Sequence, residues 1–439
     1  MSVQKNKKSI LGALLNQQQQ KDTVQNTPPK GIYKIEGTVK NYSWGSPVLL
    51  PELLNIPNPD QKPFAELWLG THAGGISHLT DGGLLDTLIG SKSGFFLGTA
   101  ACAPDDSRLP FLMKVLAAEK PLSLQAHPGW EQARIGYARE NALGIPFDAP
   151  DRNYKDPHPK PEIICALTQF TALCGFRPLS EIKKMLNIFG CPFLASLVPV
   201  LNSDASEKNI YMSFLQTLFS FSDDLREALC GYIMRYAQNL ILRHSEHTAV
   251  WKMILSFAEA YPSDPAVIAP LYLNIISLEP GEAFFVPAGI LHSYVRGLGI
   301  ELMGASDNVL RGGLTSKYVD PRELVSVLHA APFCPEKIIP SADTTQQNAC
   351  YSYAAEAPFT LSVMNVKAKQ VGFPLNGPAL AFVCKGTVLL NAREGRETLT
   401  LKQGESAFIA AGEPRSGMNL RSEFTDTAVL YLASLTKPV

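Results

Sequence analysis

The chain has 439 residues, with 39 Lys and Arg against 40 Asp and Glu, and 46% of its residues are hydrophobic. That length suggests two or three domains with ordinary cores, and a formal charge of −1 gives nucleic acid or an acidic membrane surface nothing to recognise. No apolar run approaches the roughly 20 residues that span a bilayer, and eight cysteines without a C-x-x-C pair point to buried thiols in the reducing cytoplasm rather than a disulfide framework or a cysteine zinc site.

In chain order, residues 1–30 combine Lys5, Lys7 and Lys8 with the Gln17–Gln20 run and Pro28-Pro29. This composition predicts a disordered leader, and Ile10 to Leu15 is too short for a secretory segment. From Ile32 the texture becomes short apolar runs cut by Gly and Pro: Phe64–Gly70, Phe111–Ala118, Glu162–Leu167, Leu273–Leu278 and Ala283–Val286. Such spacing predicts strands of an all-β sandwich or barrel. The stretch from 179 to 264 differs, being nearly free of glycine. Leu225, Leu229, Ile233 and Tyr236 recur with helical period behind the capping charges of Asp223-Asp224, which predicts a helical insertion. After about residue 326 the β texture returns.

An internal repeat supports two related jelly-roll barrels. Residues 278–292 align without a gap on 401–415, with Gly281 on Gly404, Glu282 on Glu405 and Ala288-Gly289 on Ala411-Gly412. Each copy implies a strand, a turn and a re-entering strand. His292 in the first copy falls on Arg415 in the second, so only the first can place an imidazole there.

No P-loop, dinucleotide fingerprint or G-x-S-x-G elbow is present, which leaves three segments to carry chemistry. In Leu122-Ser-Leu-Gln-Ala-His127 the strand period puts Ser123, Gln125 and His127 on one face. Glu162 opens the apolar run Ile163–Leu167, where a carboxylate must be paired or bound to metal if buried. His292 follows a tight turn at Pro287-Ala-Gly289. Singly, Q-x-H also describes a hydrogen-bonded core pair and Glu162 a strand-edge charge. Together, Gln125, His127, Glu162 and His292 form an N/O set suited to zinc with room for a further ligand. The third segment runs from Glu301 to Lys317. Its Gly312-Gly313 permits unusual backbone angles and close approach to a ligand, and Arg311 and Lys317 suit a phosphate or a developing oxyanion. A solvated loop with an Asp307–Arg311 ion pair is the alternative for this stretch. The pair His244 and His247 lies in the predicted helices without a third ligand and reads as surface.

These segments resemble type I phosphomannose isomerases. The resemblance is carried by Tyr42-Ser-Trp-Gly45, Phe64-Ala-Glu-Leu-Trp-Leu-Gly70, Pro110–Leu116, Pro121-Leu-Ser-Leu-Gln-Ala-His-Pro128, Tyr154-Lys-Asp-Pro157, Lys160-Pro-Glu162, Val286-Pro-Ala-Gly-Ile-Leu-His292 and Ser306-Asp-Asn-Val-Leu-Arg-Gly-Gly-Leu-Thr315. It covers most of residues 32–320; beyond about 330 only the β texture carries over.

The resemblance implies a mainly β fold with a helical insertion: two cupin-type jelly-roll barrels plus an α-helical domain. The catalytic barrel would occupy 31–178 and 265–325, the helical domain 179–264, and a metal-free cupin-like barrel 326–439. It implies a monomeric cytoplasmic enzyme with one Zn²⁺ per chain, held by Gln125, His127, Glu162 and His292. The reaction implied is interconversion of mannose 6-phosphate and fructose 6-phosphate through an enediol(ate), with proton transfer between C1 and C2, feeding mannose activation. Lys160, Glu301 and Asp307 become candidates for moving protons and Arg311 a further catalytic residue. Trp44, Glu66, Lys114, Ser123, Tyr294 and Lys317 become substrate-binding positions, with Ser123, Lys114 and Arg311 as phosphate anchors. One departure stands out. The family reads Asn-His-Lys-Pro-Glu where this chain has His158-Pro159-Lys160-Pro161-Glu162, so Pro159 replaces the histidine beside the lysine. His158 could compensate only through a bent backbone. An iron dioxygenase and a non-catalytic sugar-binding barrel are the rival readings. The first is disfavoured by the Gln ligand and the cationic rim, the second by the complete residue set.

Overall fold

A computed structural model describes residues 29–98, 108–243, 245–339, 350–353, 357–366, 371–372, 375, 377–392, 397–412, 419–422 and 427–435. Most of the expected leader, together with Cys102, His244 and Arg415, lies outside the described residues. The architecture is sheet-rich with several helices, and no helix among the described residues is long and apolar enough to cross a membrane.

A ten-stranded sheet is built around the strand His292–Gly304. Its second half pairs antiparallel with Phe111–Ala118 and Glu162–Ala166, with Glu301 opposite Lys114 and Met303 opposite Glu162. Its first half pairs with Leu124–Ala126 and Phe170–Phe176, with His292 opposite Gln125. The register slips between Tyr294 and Arg296, a bulge that bends one strand across both halves. Leu310–Gly313 adds to Leu124–Ala126 and sets Arg311 opposite Gln125. Arg311, Gln125 and His292 therefore form a row across three strands.

Period-two alternation decides which groups face the interior of this sheet. Phe111, Met113, Val115 and Ala117 point to one face, where they pack with Phe359, Leu361, Leu380, Phe382 and Phe408 of a second, seven-stranded sheet. Leu112, Leu116 and Ala118 point to the other, and Lys114 points with them. Glu162 likewise shares a face with Ile164 and Ala166. Ionic groups thus stand where period and burial call for aliphatic ones.

The seven-stranded sheet runs Cys350–Tyr353, Phe359–Val366, Ala428–Leu435, Ala379–Lys385, Ser406–Ile409, Ile32–Glu36, His78–Leu79. Its far face packs on a four-stranded sheet containing Thr387–Ala392 and Glu397–Lys402. One strand departs from the expected division at residue 31. Ile32–Glu36 pairs with Ser406–Ile409, Ile32 opposite Ile409, because Ile35 and Ile32 each fill a core that the C-terminal strands line.

Helices Leu179–Phe189, Glu207–Phe219, Asp223–Arg243 and Thr248–Ala260 occupy the stretch of helical periodicity. Ser222 Oγ accepts the Leu225 N–H, capping a helix that buries Leu229, Ile233 and Ala237. Helical turns continue through Ala269–Tyr272, beyond the expected exit at 264. A helix at Trp130–Ala142 was not anticipated inside the β texture. Gln132 Oε1 accepts the Gly129 N–H at its start, and Gly136 lies flat on Tyr154, where a Cβ would come within 2.4 Å of the ring.

The aligned turns have one geometry. Gly281 and Gly404 both adopt left-handed φ, 91° and 84°, which favours glycine. The Glu282 N–H donates to Glu279 O and the Glu405 N–H to Lys402 O, each at 2.9 Å. In return Glu282 Oε2 accepts the Glu279 N–H, and Glu405 Oε2 the Lys402 N–H, again at 2.9 Å.

Candidate active site

The polar groups that interrupt the apolar interior converge on a cavity of about 1330 Å³. Trp44, Glu66, Lys114, Ser123, Gln125, Lys160, Glu162, Glu301, Asp307, Arg311 and Lys317 all line it. His127 and His292 stand just behind Glu162.

Ligand atoms of His127, Glu162 and His292 lie within 4.8 Å of one another, all buried. His127 Nδ1 is 2.6 Å from Asn308 O, and His292 Nδ1 is 2.9 Å from Ile290 O. A carbonyl oxygen only accepts, so each Nδ1 carries the proton and each Nε2 a lone pair. Those lone pairs face Glu162, with His127 Nε2 3.1 Å from Oε1 and His292 Nε2 3.3 Å from Oε2. His127 Nε2 and His292 Nε2 are buried without a hydrogen-bond partner, while Glu162 Oε1 is met by the Lys160 ammonium. Lone pairs opposed at this distance need a cation between them. A proton is disfavoured, because burial, reinforced by Lys160, pushes His127 down to about 4. Burial would raise Glu162, but Lys160, with Nζ 3.0 Å from Oε1, holds it well below the usual carboxylate range. Ser123 Oγ donates to Gln125 Oε1 at 3.2 Å, and Gln125, which lines the same cavity, offers a fourth donor group, its amide oxygen. Buried Glu66, Glu162 and Glu301 outnumber buried Lys114 and Lys160, so the set is short of positive charge. Two imidazole nitrogens and a carboxylate, with an amide oxygen nearby, fit zinc.

Lys114 is the centre of a second cluster. Its Nζ lies 3.0 Å from Glu301 Oε2, 3.4 Å from Glu66 Oε1 and 5.2 Å from the centre of the Trp68 ring. Burial alone would lower the ammonium, but Glu301 and Glu66 raise it far above its ordinary value. The Trp68 indole N–H donates to Glu66 Oε2 at 2.7 Å. Burial raises Glu301 despite Lys114.

A third group is cationic. Arg311 has no acidic partner among the described residues, and burial lowers it. Lys317 is lowered by burial and then by Arg311 and Lys155, and it stacks over Tyr42 with Nζ 5.5 Å from the ring centre. Like charges held together beside a cavity form an anion site.

Several expectations change. Tyr294, expected against substrate, is fully buried and donates its hydroxyl to Glu162 Oε2 at 3.1 Å. It stands behind the carboxylate and orients it, because the strand face that His292 and Tyr294 share is filled there by Phe170 and Phe284. Gly312-Gly313 lines the cavity and is also required by packing. A Cβ on Gly313, at φ 127°, would meet Ala266 at 2.4 Å, and one on Gly312 would meet Leu324 at 2.8 Å. The Asp307–Arg311 ion pair is absent among the described residues, and Asp307 faces His72 instead. His158 packs edge-on against Trp130 on the outside, centroids 5.7 Å apart, and does not stand in for the histidine that Pro159 replaces. Lys114, expected as a phosphate anchor, is already balanced by two carboxylates.

Sequence reasoning passed over Trp68, Lys155, Asn308 and His72. The first three lay inside quoted segments but carried no spacing signal. Asn308 is fully buried: its Oδ1 accepts the Lys155 N–H at 2.8 Å, and its Nδ2 donates to Asp156 O and His158 O. It thereby fixes the carbonyl that orients His127.

A family model described as the type I phosphomannose isomerase catalytic domain matches residues 32–179. The chain is 36% identical to a mannose-6-phosphate isomerase of Salmonella typhimurium over 87% of this chain and 95% of that protein. It is 37% identical to one of Escherichia coli, again over 87% and 95%. A crystal structure of the Salmonella typhimurium isomerase, bound to its substrate fructose 6-phosphate and a zinc atom, superposes with a TM-score of 0.81 at 34% identity, over 93% of this chain and 100% of that one. The apo form of the Salmonella enzyme gives 0.82 at 33% identity over the same shares. By sequence and by fold, the chain belongs to the mannose-6-phosphate isomerase family, type I.

Proposed function

We propose that the chain is a zinc-dependent aldose–ketose isomerase that interconverts mannose 6-phosphate and fructose 6-phosphate. The observation that carries this reading is one cavity lined both by Glu162, behind which the buried Nε2 lone pairs of His127 and His292 face its carboxylate, and by a cationic group, Arg311 with Lys317 and Lys155, without an acidic partner among the described residues. The first needs a metal and the second a phosphate. The family relatives act under this name, and one of them binds both fructose 6-phosphate and zinc.

His127, His292, Glu162 and Gln125 hold the zinc, which supplies a Lewis acid for negative charge developing on sugar oxygens. Arg311 and Lys317, with Lys155 and the Ser123 hydroxyl, bind the phosphate, and that remote contact orients C1 and C2. Trp44 and the Glu66–Lys114–Glu301 cluster shape the wall beside the sugar. The isomerisation moves one proton between C1 and C2 through an enediol(ate). Among the candidates, Glu301 is engaged by Lys114 and Lys160 by Glu162, each at 3.0 Å. Asp307 faces the cavity with 45% of its side chain exposed, has no lysine or arginine partner among the described residues, and meets the His72 imidazole. Asp307 is therefore the carboxylate that takes the proton from one carbon and returns it to the next.

The finer fold reading follows from the repeated turn: two cupin-type jelly-roll barrels with a helical domain inserted in the first, the strand Ile32–Glu36 serving the second. The protein works as a cytoplasmic monomer. A coupled assay of mannose 6-phosphate isomerisation, run alongside metal analysis of the purified protein, tests the proposal. It expects one zinc per chain and activity lost on chelation and restored by zinc. Equal turnover of free mannose and its 6-phosphate would contradict the phosphate site.

A further inference from the structure

One histidine outside the metal set is aimed at the proton-carrying carboxylate. His72, with 9% of its side chain exposed, places Nε2 3.4 Å from Asp307 Oδ1. Its Nδ1 accepts the Gly74 N–H at 3.1 Å. A backbone N–H only donates, so Nδ1 carries the lone pair and the proton sits on Nε2, the atom beside the carboxylate. The tautomer is thus the opposite of that in His127 and His292, and it turns a donor toward the acid.

The ring is held firmly. Trp68 meets it edge-on, with centroids 5.1 Å apart at 86°, and Trp68 is itself tied to Glu66. The Gly74 carbonyl accepts from Lys40 Nζ, which anchors the loop that fixes Nδ1. Burial, against the opposing pull of Asp307, lowers the imidazole, so it remains neutral at neutral pH. From the other side the Asp307 N–H donates to Asp156 Oδ2 at 2.8 Å. The backbone of Asp307 is therefore fixed by Asp156, while His72 is the group placed to fix its side chain.

We propose that His72 is a positioning residue for Asp307: its Nε2–H holds Oδ1 and leaves Oδ2 directed at the substrate carbons. The proposal rests on Asp307 being the proton carrier. In that step Oδ2 takes a proton from one carbon while the C–H electron pair stays on the substrate as the enediol(ate). The same proton then goes to the neighbouring carbon while the hydroxyl proton passes from one substrate oxygen to the other, so that carbonyl and alcohol exchange places, and His72 keeps its own proton throughout. A chain with Pro159 beside Lys160 has no imidazole there; its imidazole for this carboxylate comes from the other wall.

Two substitutions separate positioning from a structural role. His72→Asn keeps an oxygen where Nδ1 accepts the Gly74 N–H but loses the far donor. His72→Gln places an amide N–H near the Nε2 position instead. In the zinc-loaded enzyme, His72→Asn should lower kcat about 10- to 100-fold, a share of what general acid–base catalysis contributes, with KM and zinc content little changed. His72→Gln should recover most of that loss. In an Asp307→Asn background, His72→Asn should cost less than about 2-fold, since coupled residues are not additive. A His72→Asn enzyme with unaltered kcat would overturn the proposal, as would loss in His72→Gln but not His72→Asn, or an undiminished loss in the Asp307→Asn background. If Asp307→Asn alone keeps full kcat, it is the assignment of Asp307 that fails, and the two failures remain distinct. Should either His72 variant fold poorly, as judged by thermal melting, the other still decides between donor and turn.

Discussion

The molecule uses one turn twice over two different interiors. At Gly281 and Gly404 the same left-handed glycine is followed by a glutamate that closes the turn with its own carboxylate, and each glutamate is met by a lysine, Lys337 at 2.9 Å and Lys34 at 2.7 Å. The strands that follow, Ala283–Val286 and Ser406–Ile409, both enter sheets. Behind the first lie Lys114, Gln125, His127, Lys160, Glu162, His292 and Glu301, all buried. Behind the second, Ser406 is the buried polar residue among the described residues from 350 onward, and the core is Val388, Leu390, Leu401, Ile409, Leu430 and their neighbours. Backbone chemistry specifies the architecture, and the residue types on the inward face specify whether it holds chemistry. Buried charge is costly unless it is paired or bound to metal. In the first interior the charges are paired in clusters, one of which the proposed zinc would complete.

The sharpest way to break that comparison is to remove the metal set from one side only. His292→Ala should lose zinc and reduce turnover by at least about 10²- to 10³-fold, the scale of losing one strong electrostatic element of a site. Arg415→Ala, at the aligned position, should keep both. Metal analysis and a coupled assay on the two variants decide it. Zinc retained at full occupancy in His292→Ala would dissolve the distinction between the two interiors.

Next in size is the cationic group. Arg311→Ala should leave zinc content unchanged and weaken mannose 6-phosphate by roughly 10- to 150-fold, the equivalent of about 1.5–3 kcal/mol for a charge-assisted hydrogen bond. A fall in kcat beyond that range would mean that Arg311 also meets the developing oxyanion, as its register opposite Gln125 allows.

The buried imidazole gives a pH test confined to the first interior. His127 is pushed down to about 4 by burial from an ordinary value near 6.5. Between those values the unfolded chain binds a proton that the folded chain refuses, so stability rises with pH across this window and is lost as pH falls from about 6.5 to 4. For metal-free protein the loss is at most about 3 kcal/mol. Denaturant melts in chelator at pH 7 and pH 5 should show it, and His127→Gln should remove most of the difference. A related test concerns the shell around that ligand. Asn308→Ala leaves the His127 acceptor, Asn308 O, in place but removes the side chain that fixes it, and should weaken zinc about 10- to 100-fold in a competition titration.

How much of this was legible follows from the distance over which each signal acts. Phe111–Ala118, Leu273–Leu278 and Ala283–Val286 were readable because short apolar runs with Gly or Pro boundaries are local signals. The candidate metal set was readable because each of its members interrupts an apolar run. The helix Trp130–Ala142 was not, since it presents no apolar stripe: Trp130 and Ile135 lie exposed on it. Nor could sequence show that Tyr294 stands behind Glu162, because strand period places it on the face of His292 without saying what fills the space in front. Lys114 read as a cation for phosphate; its balance by Glu66 and Glu301 depends on pairing strands far apart in the chain. His72 carried no local signal at all, since its partner lies on the segment that closes the opposite wall.

The smallest effect tests what the two regions share. Glu282→Ala and Glu405→Ala each remove one carboxylate hydrogen bond to a turn N–H and one partly exposed lysine contact. The turn hydrogen bond is worth about 1 kcal/mol, and the ion pair adds little because water screens it. Both carboxyls sit below their ordinary value. Glu282 is held there by the Glu279 N–H and then Lys337; Glu405, against the effect of burial, by Lys34 and the Lys402 N–H. A depressed carboxyl contributes stability that is present at neutral pH and lost as pH falls through the carboxylate range. Each substitution should therefore lower Tm by about 2 °C or less at pH 7, with the difference from the unaltered protein shrinking toward pH 3. Zinc content should stay unchanged in both, because Ala283–Val286 separates the first turn from Glu162, which pairs with Val286 at the far end of that strand. If Glu282→Ala released zinc while Glu405→Ala merely lowered Tm, the first turn would be part of the metal site, and the two turns would share a shape without sharing a role.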